Sequence, residues 1–527
     1  MLERAANNFS CGDGRLSGRR MATIVVAVAS IMLFSSRANA DPTYARSGAF
    51  DASTVVEIAR KLSKSPYAPP NTALPPPIDK LNYDQYRDIR VAPSATFWTK
   101  PGSRFRLQLL PVGYLFNAAV EIALVKDGRA THVAFRPEMF TTGKVAPGPL
   151  PAKDIGFSGI RLQFQINKPR LFDEFAVFQG ASYFRAVGRN QGYGLSARGL
   201  AMRTGDPKGE EFVIFRAFWI EEPARSSTTV VVHALLDGPS VSGAFRFAIQ
   251  PGANTIMDVQ SVLFPRVDLD EIGIAPGNSM FMFSFNGRRK ADDFRPQIHD
   301  SDGLLIFNGR GEHIWRPLAN PALLQLSAFG DHAPQGFGLM QRDRNPADYQ
   351  DFEQQFERRP SLWVEPVGDW GPGSVILVEI PSDAEIHDNI VAFWRPKEII
   401  RTGAELRQSY RLSWGEEPKA ASDHVRVIAT AHGRADPLAP TPVRRFVIDY
   451  SPNVAPHGRR SPLPHAAVAA SAGKISNVVV SDNPLTHGDR VTFVFDPENT
   501  ELSELRVDLK YDDGRKAEVW LYRWTKP

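Results

Sequence analysis

The sequence predicts an all-β fold, a large antiparallel β-sandwich followed by a smaller one. Three observations carry this. From about residue 83 onward, short runs rich in Val, Ile and Phe recur, among them FRLQLLPVGYLF, GIRLQFQI, EEFVIFRAFWI, STTVVVHALLDG and GAFRFAIQPG. Turn pairs punctuate them: Asp237-Gly238, Pro251-Gly252, Pro276-Gly277, Asn286-Gly287 and Asn308-Gly309. Run, turn, run at this spacing is the pattern of antiparallel sheet. The single cysteine, Cys11, lies near the N-terminus, so no disulfide can staple the rest, and large apolar cores must stabilise it.

Arg19-Arg20 precede an apolar run from Met21 to Phe34, and Ala38-Asn39-Ala40 follows. A basic region, a short apolar core and an A-x-A site describe an export signal, expected over 1–40 with cleavage after Ala40. The run is too short to span a bilayer comfortably. The twin arginines leave both the folded-protein (Tat) route and the general secretory (Sec) route open. Five arginines against Glu3 and Asp13 give this segment +3 of the whole chain's formal +4. The basic balance is therefore a targeting feature and argues for no nucleic-acid partner. With the signal gone, no cysteine remains for a nucleophile or a thiolate metal site. No later run reaches 18 apolar residues, so the expected product is soluble and periplasmic.

The large domain is expected over 41–415. Phe50 to Ser63 reads as a helix, with Val55, Ile58, Ala59 and Leu62 on one face and Thr54-x-x-Glu57 as a capping box. SPYAPPNTALPPP (65–77) follows as an extended connector. A second helix is expected in ADYQDFEQQFERRP, with Tyr349, Phe352 and Phe356 on one face and Pro360 ending it. Past a boundary near 413–420, VRVIATAHG, RRFVIDY, ISNVVVSDN, RVTFVFDP, LRVDLKYDDG and AEVWLYRW read as a small module of immunoglobulin type over 416–527.

Two acidic spots stand against apolar strands. QIHDSDG (297–303) precedes Leu304-Leu305-Ile306-Phe307, and the tripeptide Ile-His-Asp returns as Ile386-His387-Asp388. Asp300-x-Asp302 imitates the start of a calcium loop, but its fifth and twelfth positions are Leu304 and Gly311. His299, His313, His332 and His387 lack zinc-ligand spacing, so no metal is expected. In GYGLSARG, Ser196 misses the G-x-S-x-G frame by one residue. For Asp300 and Asp388 two readings stand. Turn chemistry is the commoner use of Asp in such contexts. The other is a glycosidase pair, one carboxyl protonated by burial and one ionised to activate water. The apolar run after Asp388 favours it as the protonated member, with Asp300 in a wetter turn. Trp219, Trp315, Trp363, Trp370 and Trp394 are either core residues or sugar-stacking platforms.

FDEFAVFQGASYFRAVGRNQGYGLSARGLA (172–201), GEEFVIFRAFWIEEP (209–223), IHDSDGLL (298–305), GFGLMQRDR (336–344), RPSLWVEP (359–366) and DNIVAFWRP (388–396) together resemble the bacterial periplasmic glucan biosynthesis proteins, types G and D. The similarity covers essentially the whole chain after the signal. It implies a galactose-mutarotase-like β-sandwich joined to an immunoglobulin-like one, acting on osmoregulated periplasmic glucans with a β-1,2-linked glucose backbone. Type D members cleave that backbone with inversion. Carried over by motif, the general acid falls on Asp388 and the base-side aspartate on Asp300. Glu385 matches an acidic position, and Glu385, Trp363, Trp394 and Arg185 form the expected substrate-binding set. One departure stands out: Phe356 occupies a position where the family's proton relay uses Tyr. The resemblance therefore implies either an inverting glucan hydrolase or a non-catalytic glucan-binding factor that controls backbone length or branching. Neither needs a cofactor. It also admits an inner-membrane glucan synthase as partner and a homodimer as assembly.

Overall fold

In the computed structural model, which describes residues 44–526 apart from 147, 288–291, 420, 422–423, 439–440 and 453–461, the apolar runs pair as strands of two large sheets. The expected export signal and cleavage site lie outside the described residues. The fold is all-β. The first sheet runs from Gly48–Ala49 at one edge through Ile214–Glu221, Val230–Asp237, Val241–Gln250, Thr255–Pro265, Leu406–Gly415, Ser361–Val367, Gly336–Met340 and Gly303–Phe307 to C-terminal strands at the other. The second runs Gln325–His332, Pro372–Glu379, Ile390–Pro396, Ile272–Ser279, Ser196–Arg198, Tyr183–Ala186, Asp173–Gln179, Gly159–Phe164, Phe105–Leu110. Aromatic rings lock the two face to face. Phe184 of the second sheet lies 5.1 Å from Phe247 and 5.8 Å from Trp414 of the first.

The Ala52–Ser63 helix covers the outer face of the first sheet, burying Val55 and Ala59 against Ala217, Trp219 and Leu235. Its cap differs from the expected box. Asp51 accepts from the Ser53 and Thr54 N–H groups, and Thr54 Oγ1 accepts from the Asp51 N–H at 3.1 Å. The shorter Asp51 carboxylate, one turn before the apolar stripe, takes the orphan amide donors that Thr54 would otherwise serve.

The expected helix over 347–359 does not form. Two short 3₁₀ turns stand there, Pro346–Asp348 and Phe356–Arg358, and Gln350 and Gln355 adopt left-handed backbone at φ 55° and 48°. Asp351 explains the failure. Its carboxylate accepts from the Glu353 and Gln354 N–H groups at 3.1 and 2.9 Å, a local bond that competes with the helix ladder. Tyr349 and Phe356 are buried and stacked, while Phe352 points to solvent.

The strand Gly303–Phe307 is buried on both faces. Leu304 and Ile306 join the core between the two sheets. Leu305 and Phe307 join a second core with Trp315, Met340, Trp363, Phe446, Phe493 and Trp520. A strand shared by two cores needs no polar face, which is why LLIF does not alternate. Next to it, His313–Pro317 pairs in parallel with Val519–Thr525, so the first sheet continues into the C-terminal strands. Tyr44–Pro527 forms one compact unit.

Candidate active site

The site sits on the second sheet, where loops preceding its strands meet. Asp388 lies two residues before the Ile390–Pro396 strand; Ser196 opens the Ser196–Arg198 strand and Arg185 lies in Tyr183–Ala186. Sheet pairing brings these distant segments together. Ser196 Oγ donates to Asp388 Oδ2 at 3.2 Å, and Arg185 Nη2 lies 3.7 Å from the same oxygen.

Asp300 follows the short Ile298–His299 strand, and its N–H donates to Met280 O at 2.8 Å. This turns its side chain inward against Arg359, whose Nη1 donates to Asp300 Oδ1. Burial pushes the Asp300 carboxyl up to about 6; the Arg359 charge opposes the rise, and the Asp388 charge adds to it. Asp300 and Asp388 therefore share one electrostatic environment, although 88 positions apart in the chain.

Their burial reverses the expected order. Asp300 is 4 % exposed, whereas the Asp388 side chain is 27 % exposed. The apolar residues after Asp388 belong to a strand buried on both faces, Ile390, Ala392 and Trp394 in the main core and Val391 and Phe393 in a separate cluster; Asp388 itself stays in the loop before it. The two Ile-His-Asp tripeptides have unlike surroundings, since Ile298 and His299 are buried and Ile386 is exposed. His299 is held neutral: burial lowers it to about 4, and its Nδ1 pairs with Gln341 Oε1 at 2.9 Å. Asp302 serves as a loop anchor, its Oδ2 accepting from the Arg342 and Asp343 N–H groups at 2.9 and 3.0 Å. Burial pushes it up to about 7.

The tryptophans are core residues. Trp363 packs 4.6 Å from Phe307, and Trp394 packs 6.3 Å from Trp370; at 5 % and 0 % exposure neither offers a ring face to a ligand. Trp219, Trp315 and Trp370 are equally buried. On a two-faced sheet an indole gains most by filling the interior, which is what these do. Glu385 is bound by Arg295 at 3.0 Å. The same arginine binds Asp293 at 2.8 Å and Asp351 at 2.9 Å. It thus ties together the loops that precede Asp300, Arg359 and Asp388.

Arg295 and Arg359 were not singled out by sequence, and Ser196 was weighed only as a nucleophile whose frame fails. Arg359 looked like the end of a helix. Only pairing across the sheet reveals their partners. Among the described residues, no group of three or more His, Cys, Asp or Glu is placed to hold a metal ion. Phe356 is buried against Tyr349, with the Arg359 guanidinium 4.2 Å above its ring.

Residues 50–524 match the family model described as periplasmic glucan biosynthesis protein, MdoG. The chain belongs to this family. Glucans biosynthesis protein G of Vibrio cholerae serotype O1 (strain ATCC 39541) is 55% identical over 482 residues, 92% of this chain and 88% of the relative. Glucans biosynthesis protein G of Shewanella sp. (strain W3-18-1) is also 55% identical over the same shares. Glucans biosynthesis protein G 1 of Shewanella oneidensis is 54% identical over them. The candidate carboxylates and their arginines all fall inside the stretch matched by this periplasmic glucan biosynthesis family.

Proposed function

We propose that this protein is exported to the periplasm, with cleavage after Ala40, and processes the β-1,2-glucan backbone by inverting hydrolysis. The observation that carries the reading is the convergence of Asp300 and Asp388 on one sheet face with Arg185, Ser196 and Arg359 around them. Inversion needs one carboxylic acid for the leaving oxygen and one carboxylate to activate water on the other side of the ring. Asp388, reached from solvent, is the acid. Asp300 is the base. A base whose pKa lies near the working pH is both ionised and strong enough to take a proton. Incubating the pure protein with linear β-1,2-glucan and measuring new reducing ends tests the reading.

The pH dependence follows from Asp300. It must be ionised to accept a proton, and its carboxyl titrates at about 6. Sugar release should therefore climb as pH rises through that value. Arg359→Met removes the charge that opposes burial, so Asp300 should titrate higher and the acidic limb should move to higher pH. A profile that is flat from about pH 5 to pH 8 removes Asp300 from the base role.

Phe356 favours a second reading, a glucan-binding factor that holds the backbone without cutting it. Phenylalanine has no hydroxyl to relay a proton. Phe356→Tyr should raise reducing-end release by at least about tenfold if proton relay limits a slow hydrolase. An unchanged zero rate, with glucan binding intact, favours the binding factor.

A further inference from the structure

Aromatic rings gather beside Gln179, at the end of the Asp173–Gln179 strand of the second sheet. Tyr83 and Tyr86 come from the short helix Tyr83–Arg87. Tyr114 and Phe116 come from the tight turn Gly113–Phe116, closed by the Gly113 N–H donating to Phe116 O at 3.0 Å and the Phe116 N–H to Gly113 O at 2.9 Å. The Tyr83 and Tyr114 rings lie 6.0 Å apart; Tyr86 lies 6.3 Å from Tyr114 and 5.6 Å from Phe116. Tyr83 is 57 % exposed and Tyr114 38 % exposed.

Folding alone does not account for this platform. Tyr114 holds φ at +54°, a left-handed conformation that disfavours any bulky residue. Gly113 lets the turn close on the helix, since a Cβ there would stand 2.8 Å from Leu81 Cδ1 and 3.3 Å from the Tyr86 ring. The result is two tyrosine faces turned outward, with the Arg87 guanidinium 5.6 Å from the Tyr83 ring centre.

The platform is continuous with the candidate active site. Tyr86 Oη accepts from Gln179 Nε2 at 2.8 Å. Gln179 ends the strand that pairs with Tyr183–Ala186, in which Val177 stands opposite Arg185. Arg161 binds Glu174 at 2.9 Å, and the charges of Glu174, Arg161 and Arg185 all reach the Tyr193 hydroxyl. Arg185 in turn meets Asp388. A path across the paired strands thus leads from the carboxylates toward the tyrosines: Arg161 stands opposite Val177 and Val177 opposite Arg185, and the Arg161 charge also reaches the Tyr86 hydroxyl. Flat rings with polar tips, reached along such a path, suit the apolar faces and hydroxyl rims of sugar rings.

We propose that Tyr83 and Tyr114 form a distal glucan-binding subsite, on which sugar rings stack while another stretch of the same chain lies at Asp388 and Asp300. This rests on the glucan reading above. The protein would then favour long chains, because only a long chain reaches both places.

The test is calorimetric titration of the full protein and its Tyr83→Ala/Tyr114→Asn variant with long linear β-1,2-glucan and with a short β-1,2-gluco-oligosaccharide. Asn tolerates the left-handed backbone at 114, and an unchanged thermal melt verifies the fold. The variant should lose about tenfold in affinity for the long glucan and nothing for the short one. Unchanged affinity for the long glucan overturns the distal subsite and leaves the function intact. Equal losses for both ligands also overturn it, since the tyrosines would then act on the central site. If the unaltered protein binds neither ligand, the glucan reading fails and takes this inference with it.

Discussion

Asp388→Asn should abolish release of sugar from β-1,2-glucan while leaving glucan affinity within a few-fold of the unaltered protein. The amide matches the carboxyl in shape, and its oxygen can still accept from Ser196 Oγ, which donates to Asp388 at 3.2 Å. What the amide lacks is a proton to give to the leaving glycosidic oxygen. General acid catalysis contributes about 10²- to 10⁴-fold, so the reducing-end signal should fall by at least that order. Losing the 3.7 Å contact to the half-exposed Arg185 should cost little, because exposed ion pairs contribute little. Asp300→Asn should depress turnover comparably, and in addition leave Arg359 without its buried partner. Turnover retained by Asp388→Asn rules out the acid assignment; glucan binding lost with turnover shows that the residue holds substrate instead.

Arg342→Met should produce the largest loss of stability. Arg342 is buried where the loop after Gly336–Met340 meets the C-terminal strands. Its Nη1 and Nη2 donate to the two Glu518 carboxylate oxygens at 2.7 and 2.6 Å, its Nη1 to Val427 O at 2.7 Å, and its Nε to Glu417. The guanidinium also lies 3.6 Å from the Trp315 ring centre. Glu518 is fully buried. Removing the cation leaves the buried Glu518 carboxylate without its counter-charge, which costs about 3–5 kcal/mol, while Glu417 keeps Arg426 at 2.8 Å. Thermal melting followed by circular dichroism should show the midpoint fall by several degrees. Arg342→Met/Glu518→Gln should recover part of the loss, because an uncharged group costs less to bury unpaired. A single variant that melts like the unaltered protein refutes this account. The damage should also reach the candidate active site, since Gln341, next in the chain, holds His299 beside Asp300.

The amino-acid order was enough to specify the all-β class, because strand and turn chemistry are local. The Phe50–Ser63 helix was legible for the same reason, its apolar stripe repeating at the helical period. The second helix was misread because its periodicity is genuine but Asp351 captures two backbone donors that the ladder would need. The aspartates were found through motifs, which name residues without stating their surroundings. Burial depends on what folds over a side chain from elsewhere. Asp300 is enclosed by Arg359 and Met280, distant in sequence, whereas Asp388 is left partly exposed in the loop before a strand that is itself buried on both faces. The same holds for aromatics. Tryptophans look alike in a sequence whether they line a core or a cleft, and only the tertiary packing buries all five, Trp370 and Trp394 between the sheets, Trp315 and Trp363 in the second core and Trp219 under the helix, and leaves Tyr83 and Tyr114 outside. Residue order decides local backbone choices within a few positions; dielectric, pairing and exposure are long-range properties that the assembled sandwich alone imposes.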